Sequence, residues 1–250
     1  MPFKDYNVAA EESVRDAFNS PTTELRFFEK VVDLFPRTIL AGEADGPVEA
    51  LMLCLNSFQL LLAGGRIALT GHASAMFPVV RTALESACYA FMILEKPELA
   101  VVWRARHESR SKMDKCRNTF ANAIKVVSRE CSWTPEGKQR LVDTYQGMID
   151  YGGHPNPHSI FHAVTIDDGG DHWLANLNSV YEPDSGMARW VTLACAEAAL
   201  CVAAVLAECH RKNDTATWSV IHERMDELSA LKTAMQAEAG QDNNQHDAMN

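Results

Sequence analysis

The sequence predicts a mainly α-helical protein, a multi-helix bundle with one small β-hairpin near residues 163–178. Three observations carry that expectation. Apolar residues recur at three- and four-residue spacing over most of the chain. Helix-opening combinations recur between those runs. Only HAVTIDDGGDHWLANL departs from the pattern, alternating apolar and polar residues about Asp167-Asp168-Gly169-Gly170 as a hairpin does.

The helices follow in order. Residues 1–20 read as an N-terminal extension with a short helix from Ala9 to Phe18. Ser20, Pro21 and Glu24 supply a cap, an early proline and an acidic first turn for a helix with Leu25, Phe28, Val31, Val32 and Phe35 on one face. Gly42 to Gly46 is a polar break, and Pro47 opens the next helix. Gly64-Gly65 marks a kink, a close helix contact or a short break. The stretch Ile67 to Leu94 organises the chain as its most continuous apolar run, with Met76, Val80, Ala83, Leu84, Ala87, Phe91 and Leu94 at helical spacing. Pro78 sets the helix start near Ser74 or bends the helix there.

Past Lys96-Pro97-Glu98, a helical region runs from Pro97 to Val127. Thr134-Pro135-Glu136 opens a helix that ends near Asp150. Asp184 or Ser185 caps an alanine-rich helix, Met187 to Cys209. A last amphipathic helix runs from Thr217 to Glu238, and the tail 240–250 lacks a core pattern and is expected to be disordered. No linker demands a boundary, so 21–239 reads as a single helical-bundle domain.

The chain has 250 residues, 47% hydrophobic and 22% charged, with a net charge of -10. That size and composition support a full core, and the acidity argues against broad nucleic-acid binding. Seven cysteines, none in a CxxC pair, read as reduced core thiols. Met1 is followed by PFKDYN with no basic-then-apolar leader, so no signal peptide and a cytoplasmic location are expected. Arg81, Glu85 and Pro78 interrupt the longest apolar run, so no membrane contact is expected either.

Those interruptions also mark the candidate site. Arg81 and Glu85 lie four apart and share a helix face close to the apolar one. Such a pair either fixes packing or forms a polar pocket, in which Arg81 anchors an anionic group and Glu85 orients it. Arg81 beside Glu85 favours the charged carboxylate, which suits electrostatic positioning more than general-acid work. The turn HPNP follows, with His154, Asn156 and His158 placed to line an entrance and with the two histidines as candidate acid–base groups. Between Glu98 and Glu130 basic residues outnumber acidic ones. Arg104, His107 and Arg117 there are candidate binding residues for phosphate, or parts of a solvated helix laced with ion pairs.

No metal or other cofactor is expected, since the sequence has neither HExxH nor a Glu-x-x-His repeat. Expected partners are an anionic ligand or RNA, a protein, or a second copy forming a homo-dimer.

On Arg81-x-x-x-Glu85 and His154-Pro155-Asn156, the chain resembles an uncharacterised bacterial all-helical family, a domain of unknown function distantly similar to the HEPN group. The resemblance implies a helical bundle with a polar site that acts on RNA, and makes Arg81, Glu85, His154 and His158 its catalytic candidates. The HEPN ribonuclease motif is an arginine, four to six residues beginning with a polar one, then histidine. Arg117-Asn118 begins that motif, but Asn122, Ala123 and Ile124 stand where the histidine belongs. Arg66 reaches His72 over five residues with Ile67 at the polar position. The readings carried forward are a ligand- or partner-binding bundle, an RNA-binding or RNA-cleaving one, and a purely structural one.

Overall fold

The computed structural model describes residues 2–41, 45–152, 157, 160, 164–169, 173–177, 180, 182–211 and 214–247. The fold is mainly α, a bundle with one two-stranded antiparallel sheet. Its helices are α1 (Phe3–Asn19), α2 (Thr23–Leu34), α3 (Val48–Leu69), α4 (Ala73–Glu95), α5 (Leu99–Arg104), α6 (Arg110–Phe120), α7 (Ala123–Glu130), α8 (Pro135–Gly152), α9 (Gly186–His210) and α10 (Thr215–Asp247). The hairpin joins β1 (Val164–Asp168) to β2 (Trp173–Leu177), with Ile166 opposite Ala175.

Side-chain caps set several of the starts. Thr22, not Ser20, accepts the Leu25 N–H at 3.2 Å and opens α2. Ser109 does the same for Lys112 in α6, and Ser185 for Ala188 in α9. Asp214 accepts the Thr217 N–H at 3.0 Å. Each satisfies a donor that the first turn leaves open. The run from Pro97 to Val127 is broken into α5, a short 3₁₀ turn at Ala105–His107, α6 and α7. After α2 the ladder widens into a π turn at Phe35–Ile39, where Leu40 N–H reaches Phe35 O at 2.8 Å. Pro36 brings no N–H to this turn, which fits the loss of ordinary α spacing.

The stretch from Ile67 to Leu94 is not one helix. Gly71, at φ +81°, takes the chain from α3 into α4 in a left-handed conformation that L side chains rarely adopt. α4 then runs unbroken through Pro78 and is the hub of the bundle, packed by α3, α9, α8 and α7. Met76, Val80, Ala83, Leu84, Ala87, Cys88 and Ile93 are sealed in its core face. α2 and α10 cover α9 from outside, and α1 lies on α3.

Gly64 and Gly65 are a close contact rather than a kink. A Cβ on Gly64 would stand 2.5 Å from Val80 Cγ1, and one on Gly65 would stand 2.5 Å from the Phe28 ring. The absent side chains let α3 approach α4 and α2 together. Ser57 Oγ donates to Ala83 O at 2.8 Å, and Asn56 Nδ2 to Ser86 Oγ at 3.0 Å, on the α3–α4 seam.

The expectations of no membrane contact and a cytoplasmic location are corrected here. By length and composition α3, α4 and α9, of 22, 23 and 25 residues, are each able to cross a membrane. Eighteen helical residues span roughly 27 Å, close to the thickness of a bilayer's hydrocarbon layer. In α4 Pro78 does not end the helix, and Arg81 and Glu85 face each other, so neither feature removes the apolar span. The apolar windows of α4 and α9 are 61% and 67% buried inside the bundle, whereas that of α3 is only 39% buried. Leu51, Met52, Leu55 and Leu62 of α3 face outward.

Candidate functional site

The α4 periodicity that fills the core also turns Arg81 and Glu85 to the side facing α8. Arg81 Nε lies 3.6 Å from Glu85 Oε1, and the two side chains are 29% and 31% exposed. Tyr145, on α8, donates its O–H to the same oxygen at 2.8 Å. Arg81 Nε is itself shielded from solvent and makes no hydrogen bond, since 3.6 Å exceeds hydrogen-bond reach. The pair is therefore a charge contact, and the tyrosine supplies the hydrogen bond.

Glu85 opens onto a cleft of about 360 Å³ between α4, α8 and the α6–α7 junction. Tyr89, Asn122, Lys125, Tyr145 and Gln146 give it polar walls, and Phe120 stacks on Tyr89 with ring centroids 4.4 Å apart. Burial pushes the Tyr145 phenol up to about 12, and its bond to Glu85 adds to the shift. It therefore remains a proton donor across the neutral range. Arg81 is not part of the cleft lining.

The other expected site residues do not gather there. Arg104 pairs with the buried Glu49. His107 ends the 3₁₀ turn, and Arg117 lies 3.9 Å from Asp114. None of these three lines the cleft. His154, Asn156 and His158 lie outside the described residues. The basic region is laced with ion pairs: Arg110 with Asp114, Lys112 with Glu108, and Arg129 with Glu130. Among the described residues no group of three His, Cys, Asp or Glu could hold a metal ion.

Two polar features escaped the sequence reading. Tyr145 looked like one more residue of an amphipathic helix, because its partner is 60 positions away. Tyr89 was legible in principle, one helical turn after Glu85. The second feature is Glu208 on α9, whose side chain is 0% exposed. It accepts from Ser132 N at 3.1 Å, Ser132 Oγ at 3.0 Å and Trp218 Nε1 at 3.2 Å. Arg211 Nε lies 3.1 Å away but off the hydrogen-bonding line, so it contributes charge rather than a directed bond. The carboxylate ties the α7–α8 connection, α9 and α10 together.

No protein-family model matches the chain, and no curated protein or solved structure matches it. The class that can be stated is the one defined by fold and site: an all-helical bundle with a tyrosine-held glutamate at the mouth of a polar cleft.

Proposed function

We propose that this is a ligand-binding helical protein, and that the cleft at Glu85 takes a small polar molecule carrying an anionic group. The supporting observation is Glu85 itself. Its carboxylate is fixed by Tyr145 and faced by Arg81, yet about a third of it is open beside the cleft. A charge pair this exposed adds little to stability, so packing alone is a poor account of two charges in an apolar helix. In this reading Lys125, on the cleft wall, attracts the anionic group, and Glu85 accepts from a hydroxyl or amine of the ligand while Arg81 faces its charge from outside the cleft. Tyr145 positions Glu85.

Calorimetric titration with carboxylates, phosphate, nucleoside monophosphates and a short RNA tests the reading. At least one anion should bind, and Lys125→Ala should weaken it about tenfold or more, the scale of one charge-assisted contact. Tyr145→Phe should weaken it less. Loss of no affinity in Lys125→Ala, or no binding by the folded wild type, would leave the Arg81–Glu85 pair a structural one. RNA cleaved by the wild type and not by Arg81→Ala would move the assignment from binder to nuclease.

A further inference from the structure

A second cavity, of about 310 Å³, lies on the other side of α8, with α9 as its base and α8 and α10 as its walls. Its depth comes from Ala204, too small to fill the space between the two covering helices. The floor is apolar at Leu200 and Ala204, and Leu141 and Met225 extend that surface up the two walls. The rim is charged, and the charges differ in one decisive way. Lys232 Nζ holds Glu197 Oε1 at 2.7 Å, so those two neutralise each other. Arg140 on α8 and Asp226 on α10 line the same cavity, yet neither has an ion-pair partner among the described residues and they do not pair with each other. One cation and one anion thus stand unpaired on opposite walls above an apolar base.

We propose that this cavity binds a small zwitterion with an apolar side chain, a ligand of the α-amino acid class. Its carboxylate meets the Arg140 guanidinium, which offers two parallel N–H donors to such a group. Its ammonium meets Asp226, and its side chain covers Leu200, Ala204 and Met225. The volume suits it, at the small end of the range for ligand cavities. A ligand with only one charge would leave one wall unpaired. An apolar ligand would leave both, and would cover charged groups without replacing their water. The cavity is separate from the cleft at Glu85 and does not depend on the function assigned there.

The test is calorimetric titration of the full chain with L-phenylalanine, beside 3-phenylpropionate, which lacks the ammonium, and phenethylamine, which lacks the carboxylate. Phenylalanine should bind at least about tenfold more tightly than either analogue. Arg140→Gln should reduce its affinity to that of phenethylamine, and Asp226→Asn to that of 3-phenylpropionate. Ala204→Trp should fill the cavity and abolish binding, with circular dichroism checking the fold. Ser229→Trp, on the α10 wall, is the second filler if the first misfolds. Equal affinity for phenylalanine and a single-charge analogue would overturn the proposal. So would no binding of phenylalanine at about 10 mM, well above the range of specific small ligands, or undiminished binding by a folded filled variant.

Discussion

Glu208 shows what a single buried carboxylate does here. With its side chain sealed and donors from Ser132 and Trp218 converging on it, the charge is met from two other segments of the chain. Glu208→Ala would strand the Arg211 charge and the Trp218 and Ser132 donors. Urea unfolding should show a loss of about 3–5 kcal/mol, as for other broken buried pairs. Glu208→Gln, which keeps the acceptor oxygen, should cost less. Nothing in the sequence marks Glu208 apart from Glu197 eleven positions earlier, which instead holds Lys232. The difference lies in which residues of distant segments arrive. The Arg81–Glu85 pair was legible for the opposite reason: both members share one helix, and a four-residue spacing places them together without any tertiary knowledge.

At the scale of the helix, local chemistry reads well. Caps at Ser185 and Thr134 and the apolar stripes of α4 and α9 place those elements within a residue or two of where their sequence puts them. The hairpin at 164–177 follows from its alternation and its Asp/Gly turn. Where the helical pattern runs on but the chain breaks, as between α5 and α6, periodicity alone overruns. Gly64-Gly65 was ambiguous because glycine serves both turns and tight packing. The two roles predict opposite signs for Gly64→Ala. Helix propensity alone would stabilise the protein by about 1 kcal/mol. The Cβ lodged 2.5 Å from Val80 Cγ1 should instead cause a net loss of about 1–3 kcal/mol, as overpacking does. A thermal or urea midpoint decides it. Gly152→Ala carries the same expectation, since its Cβ would meet Phe77 Cβ and Pro78 Cδ, each at 2.6 Å.

For the whole molecule, the same apolar helices that make a bundle core also meet the length and composition of membrane spans, which is why location was not legible in the sequence. Attachment of α1 is a separate matter. It is held to the α3–α4 corner by Tyr6 with His72, Ser13 Oγ with Leu69 O at 2.9 Å, and Arg66 with Glu11. Burial holds His72 below its ordinary value, against a backbone contact at Thr70 that raises it. The imidazole therefore takes up its proton more readily in the unfolded chain. Stability is full above about pH 6.5, the ordinary histidine value, and declines as pH falls below it toward the folded value. Unfolding midpoints at pH 7.5 and 5.5 should differ in the wild type, and the difference should shrink in His72→Gln.

The α3–α4 seam has a mechanical consequence. At Gly64 the Val80 side chain lodges where a Cβ would otherwise stand, a notch that opposes sliding along the helix axis. Ser57 and Asn56 add two hydrogen bonds roughly 10 Å further along α3 at the helical rise. The turn at Gly71 ties the two helices together just beyond Gly64. A force that pries α3 from α4 would therefore load those two hydrogen bonds before it reached the glycine end.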